Sequence, residues 1–124
     1  MKLQLAGSGV QNLFTAYGAG YVAVNQTRHT ESLIVLPNQP VETWPPRCLE
    51  DLGTDHFEAV LRHSPEIILL GTGTTLRFPS NEIRRALANT GIGLEIMDTF
   101  AACRTYNILA GEGRKVAAAL LIPQ

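Results

Sequence analysis

The chain has little of what marks a specialised class of protein. It carries two cysteines, Cys48 and Cys103, in 124 residues. They lie in unrelated contexts with no CxxC spacing and no histidine-rich companion, so neither a disulfide scaffold nor a structural zinc site is indicated. Both are expected to be free thiols of a reducing compartment, unbonded to each other. No apolar run approaches the roughly 20 residues of a membrane span. Near the N-terminus, Leu3, Leu5 and Ala6 are followed at once by Gly7, Ser8 and Gly9, so no apolar signal-peptide segment develops, and no arginine-rich transit segment is present. A cytoplasmic protein is therefore expected. Charge of one sign is also lacking: 11 acidic residues face 10 basic ones, for a formal net charge of −1. Arg84-Arg85 is the only adjacent pair of arginines, and this balance argues against a nucleic-acid partner.

What is present is core material. Apolar residues make up 45 % and charged residues 17 %, too much apolar content and too little charge for disorder. The length suits one domain over residues 1–124, with residues 1–10 expected to be flexible.

The first third reads as β-structure. Leu13 to Tyr17 and Tyr21 to Val24 are extended runs around Gly18-Ala19-Gly20, which predicts a hairpin. A third run carries Leu33-Ile34-Val35-Leu36 and stops at Pro37. Residues 39–46 hold Val41 and Trp44 between prolines and suit an edge strand or an ordered loop. Thr54 is a plausible N-cap for a helix with Phe57, Val60 and Leu61 at helical spacing. The continuous apolar run Ile67-Ile68-Leu69-Leu70 suits a strand buried on both faces. Ser80 caps the next helix, with Ile83, Ala86 and Leu87 on one face and Gly91 as its stop. A strand over 92–97, a helix capped by Asp98 or Thr99 and running to Ala110, and a strand over 116–122 complete the pattern. This alternation predicts a layered α/β fold with a mixed sheet, the N-terminal half adding antiparallel strands.

Two segments could carry chemistry. The first is the loop Gly71-Thr72-Gly73-Thr74-Thr75 after the buried strand. Glycines let a backbone present N–H groups to an anion, but position 76 is Leu76 and no Walker lysine is present, so a dinucleotide or P-loop turn is incomplete. A tight strand-ending turn is the favoured reading. The sharper alternative is an anion or ligand cleft using the threonine hydroxyls and Arg77. The second segment is the helix beginning at Asp98. At 100° per residue, Thr99, Ala102, Cys103, Tyr106 and Ala110 share one stripe, with Phe100, Arg104 and Ile108 towards the other side. Arg104 and Asn107 interrupt an otherwise apolar surface, as in a helix sandwiched by its fold or covered by a partner. Cys103 is either a small buried hydrophobe, the favoured reading, or a thiol activated by the helix dipole and Arg104. Asp98 reads as a cap rather than a catalytic acid. His56 and His63 lie seven apart, not at the i, i+4 spacing of a metal pair, and read as a solvated helix face. No metal or cofactor is expected.

Residues 65–73, 90–99, 101–109 and 113–120 together resemble a family of small domains of unknown function that includes the mitochondrial complex I assembly factor 3. The resemblance runs from about Tyr17 to the C-terminus. It implies a three-layer α/β fold with a mixed central sheet and, for the mitochondrial members, a helper role in assembling the respiratory NADH:ubiquinone oxidoreductase. It supplies no catalytic residue. The lack of a targeting extension resembles the prokaryotic members. The leading expectation is a non-enzymatic interaction protein with a protein partner, aiding assembly of a respiratory or membrane complex; homo-oligomers remain open. The alternative is a small-molecule or anion-binding protein, or an enzyme, using the loop 71–75 and Cys103.

Overall fold

Among the described residues the hydrophobic pattern resolves into two sheets and three α-helices. A computed structural model describes residues 11–122; the expectation for residues 1–10 lies outside the described residues. Strands β1 (Phe14–Gly18), β2 (Tyr21–Val24) and β3 (Thr27–His29) form an antiparallel meander. Gly20, at φ 79°, turns the chain between β1 and β2 as the glycines predict. The second turn escaped the sequence reading. Asn25 and Gln26 both adopt positive φ, which makes a two-residue primed turn without the glycine that usually signals one.

The larger sheet has the order β5-β4-β8-β6-β7. Its strands are β4 (Leu33–Val35), β5 (Glu42–Thr43), β6 (Ile67–Gly71), β7 (Gly93–Met97) and β8 (Val116–Leu120). β6 pairs in parallel with β7 and β8, whereas β4 pairs antiparallel with β8 and β5, so the sheet is mixed. β5 is the edge strand that the flanking prolines demand. Ile68, Leu69 and Leu70 are fully buried, as the continuous apolar run predicts.

Alternate residues of these central strands feed two cores. Leu69, Ala118 and Leu120 join Phe14, Val22, Cys103 and Tyr106 on one face. Ile68, Leu70, Ala117 and Ala119 join Trp44, Phe57, Ile83 and Leu87 on the other. The chain leaves β6 for β7 through α2 (Asn81–Ala88) and returns past β6 to β8 through α3 (Thr99–Gly111). Right-handed crossovers in opposite directions put these helices on opposite faces. The result is three layers: α1 (Glu58–Leu61) with α2, the five-stranded sheet, and α3 with the meander packed against it.

Local expectations differ from the structure in three places. Thr54 lies inside a 3₁₀ turn, and Gly53 holds the cap position; the His56 ring Nδ1 accepts the Gly53 N–H at 3.0 Å. Ala86 is exposed, because an eight-residue helix buries only the narrow stripe of Ile83 and Leu87. His56 and His63 do not share a solvated helix face. His63 lies beyond the short α1, half-buried, with Nε2 2.9 Å from Glu42. No helix among the described residues is long and apolar enough to cross a membrane.

Candidate functional site

The candidate residues gather where β6 and β7 end and α3 begins. Gly71 closes β6 against the floor of this region. A Cβ there would lie 2.8 Å from Leu120 Cδ2 and 3.0 Å from the Thr99 Cα, so only glycine fits the approach. Gly73, at φ 107°, turns the chain sharply outward.

The Thr72 hydroxyl and the Gly73 N–H are engaged within the fold, whereas Thr74 and Thr75 are exposed. The Thr72 hydroxyl donates to the Thr75 carbonyl (2.7 Å), lies 3.3 Å from the Met97 carbonyl and accepts from the Arg77 N–H (3.1 Å). The Thr99 hydroxyl is buried. It accepts from the Gly73 N–H (2.9 Å) and donates to the Leu121 carbonyl (2.8 Å), tying the loop to α3 and to the end of β8. The Asp98 carboxylate accepts from the Ala101 N–H at 2.9 Å, the capping role its position predicts.

The two arginines point elsewhere. Arg77 is ion-paired with Glu50 on the surface. That pair holds the Glu50 carboxyl below its ordinary range and raises Arg77. Arg104 donates to the Tyr17 hydroxyl at 2.9 Å and lies 5.9 Å from the centre of that ring. Tyr17 in turn stacks on Phe100 at 4.6 Å. This aromatic–arginine cluster covers the first turn of α3. Nothing in the local sequence announces it, since Tyr17 and Phe100 are 83 positions apart.

Cys103 faces the opposite way. Its side chain is 1 % exposed in the core between α3 and the sheet. Burial pushes the thiol up to about 12, against a small lowering by Arg104 and a raising effect of Asp98. The whole predicted stripe, Thr99, Ala102, Cys103, Tyr106 and Ala110, is buried. Asn107 interrupts the apolar helix for a structural reason. Its amide group accepts from the Phe14 N–H (2.9 Å) and donates to the Phe14 carbonyl (2.8 Å), clamping β1 onto α3.

Between the loop, the β1–β2 turn and Phe100 lies a cleft of about 20 Å³, lined by Gly18, Tyr21, Gly73, Thr74 and Thr99. That is room for about one water molecule. The structure therefore brings Gly71, Thr72, Gly73, Thr74 and Asp98 together around Thr99, whereas the side chains of Arg77, Cys103 and Arg104 are engaged elsewhere, with Glu50, the core and Tyr17 respectively.

The same loop does something the sequence reading did not single out. Leu76 and Phe78 are 51 % and 59 % exposed, on a segment braced by the Thr72 hydroxyl and by the Arg77–Glu50 pair. The Arg84 guanidinium lies 5.7 Å from the Phe78 ring centre. An exposed phenylalanine with an arginine alongside matches residue types enriched at protein interfaces, and Leu76 extends the apolar patch. Among the described residues no cluster of His, Cys, Asp and Glu could hold a metal.

Comparison with known proteins adds the following. A family model described as a protein of unknown function (DUF498/DUF598) matches residues 14–121. The 13 kDa major membrane protein of Francisella tularensis is 30 % identical over 109 residues, covering 87 % of this chain and 89 % of that protein. The human NADH dehydrogenase (ubiquinone) 1 alpha subcomplex assembly factor 3 is 31 % identical over 110 residues, 87 % of this chain; the match spans 59 % of the human protein. A crystal structure of a Bordetella parapertussis protein superimposes with a TM-score of 0.87 at 41 % identity, covering 94 % of this chain and 99 % of the other.

Proposed function

Since the chain belongs to the DUF498/DUF598 family of proteins of unknown function, we propose that it is a non-enzymatic interaction protein that aids assembly of a respiratory or membrane complex. The relation to the human assembly factor supports the role, and the name of the Francisella relative supports a membrane-associated setting. The observation that carries the reading is the loop after β6, which displays Leu76 and Phe78 to solvent while its Thr72 hydroxyl and Gly73 N–H are engaged inside the fold. Exposed apolar side chains suit docking on a protein, whereas a small-ligand site needs a concave pocket with convergent polar groups.

The alternative, a ligand or enzymatic site using Gly71 to Thr75, Arg77 and Cys103, has less support. Its cleft admits about one water, and its thiol is buried and protonated at neutral pH. The test is affinity capture from native cells with the wild-type chain and with a Leu76→Ser/Phe78→Ser variant. Subunits of a respiratory or membrane complex should be recovered with the wild type and lost with the variant, while the melting temperature of the two proteins agrees within a few degrees. Recovery of the same subunits with both proteins would remove the loop from the account. Recovery of none with the wild type would overturn the assembly role.

A further inference from the structure

The opposite end of the sheet holds a second feature, independent of the docking loop. Where β4 ends and β6 and β8 begin, the surface folds into a cavity of about 190 Å³. The polar groups lining it are Arg114, Lys115, His63, Gln11, Asn38 and Gln39, and among the described residues no carboxylate lines it. The charged residues of the lining itself are thus Arg114 and Lys115.

Two acids outside the lining neighbour its basic residues. Glu66 lies 3.6 Å from the Arg114 Nε and accepts the Lys115 backbone N–H at 3.1 Å. Glu42 takes His63 on one carboxylate oxygen (2.9 Å) and Arg62 on the other (2.8 Å). Burial works to raise the Glu42 carboxyl, but hydrogen bonds from Arg62 and His63 outweigh it and hold it below its ordinary range. Lys115 is the only lysine among the described residues, and its ammonium has no ion-pair partner among them. Gly113, at φ 79°, turns the chain between α3 and β8, the segment that carries Arg114 and Lys115. Apolar residues, Pro37 and Pro65 among them, form the remaining walls, which weaken screening of the charges above them.

We propose that this cavity is a binding site for a small oxyanion, a carboxylate or phosphate of low molecular mass. The Arg114 guanidinium, whose Nε alone is engaged by Glu66, offers its remaining N–H groups to one oxygen pair. Lys115 neutralises the charge, and Asn38 and Gln39 supply the polar rim, while the Gln11 amide donates to the Ala110 carbonyl at 3.1 Å. The volume is below that of pockets for drug-sized ligands, which run to roughly 300 Å³ and more, so a nucleotide is too large.

The test uses the full chain, labelled with nitrogen-15, titrated at constant ionic strength with citrate in one arm and inorganic phosphate in the other, against a chloride background. Saturable shifts should appear at the amides of Gly113, Arg114, Lys115 and Gln39 in at least one arm. The arm that saturates identifies the ligand class. Lys115→Met keeps the length of the exposed side chain without its charge and should weaken binding at least tenfold with an unchanged melting temperature, while Lys115→Arg should restore most of it. Arg114→Gln should weaken it similarly. Shifts that grow linearly in both arms, shifts centred on the loop 72–80, or saturation unchanged in Lys115→Met would each overturn the proposal.

Discussion

Alkylation of the two thiols separates the structural role of Cys103 from a chemical one. Consider the folded protein with excess iodoacetamide at pH 8. The thiolate is the reacting species. A thiol at the ordinary value of 9.0 is about one-tenth ionised at that pH, whereas one pushed up to about 12 is about one ten-thousandth ionised. Ionisation alone thus slows Cys103 by about 10³-fold. Its 1 % exposure adds the need for the core to open before reagent reaches the sulfur. Cys48 is a free, half-exposed thiol. Intact mass against time should therefore show a single label arriving quickly, at Cys48, and a second appearing only in denaturant. In a Cys48→Ser background the folded chain should remain unmodified on that timescale. Arg104→Ala should change little, since the Arg104 guanidinium is committed to Tyr17 and its lowering effect on the thiol is small beside burial. Fast labelling of Cys103 in the folded protein, slowed by Arg104→Ala without unfolding, would refute this reasoning and restore the thiol to the list of working groups.

Three further outcomes follow from the same packing. The Cys103 thiol is raised in the folded state, so the stability it contributes is fully present below pH 9.0 and is lost as pH climbs towards 12. Denaturant unfolding at pH 8 and pH 10 should show the wild type losing about 1.4 kcal/mol more than Cys103→Ala over that interval; equal losses would contradict the buried thiol. Tyr106 is wholly buried, meets Phe14 edge-on at 5.1 Å and donates to the Asn12 carbonyl at 2.9 Å. By thermal or chemical unfolding, Tyr106→Ala should cost about 3 to 5 kcal/mol and Tyr106→Phe about 1; a Phe variant as damaged as the Ala variant would move the weight from packing to the hydroxyl. Thr99→Val keeps the shape but leaves the Gly73 N–H and the Leu121 carbonyl without their partner. It should cost about 2 to 3 kcal/mol and increase hydrogen exchange at Gly73, a loss that a plain loop threonine would not produce.

How much of this was legible in the residues depends on the range of the interaction. The stripe of α3, the caps at Ser80 and Asp98 and the two-sided burial of β6 are local or strictly periodic features, and the sequence pattern places each of them. β3 escaped because Gln26 takes a left-handed conformation that the residue type does not advertise. The Tyr17–Phe100–Arg104 cluster and the Asn107 clamp on Phe14 join positions 83 to 93 apart, so no local pattern carries them. Leu76 and Phe78 read as ordinary apolar residues until their exposure is seen. Arg114 and Lys115 are adjacent in sequence, but their pocket exists only because β4 runs antiparallel to β8 and brings residues 36–39 beside them. The family resemblance reached further than the residue patterns on architecture, because it summarises such long-range pairing.

The position of β8 has a consequence for how the protein is made. β8 follows every other described strand along the chain, yet it lies in the middle of the large sheet, hydrogen-bonded to β4 on one side and β6 on the other. A ribosome releases β4 and β6 well before it releases β8. Until then, each of those strands, lined with apolar side chains, shows an edge of unpaired N–H and C=O groups. The meander β1–β3 emerges first, but its seat on α3 arrives some 80 residues later. Synthesis from the N-terminus therefore cannot deposit a folded half, and the two cores close together once β8 has left the exit tunnel. Non-local pairing of this kind slows folding and lengthens exposure of aggregation-prone edges. A chain stalled just before residue 116 should be a far better substrate for a holdase chaperone than one extended beyond residue 122 by a linker long enough to clear the ribosome.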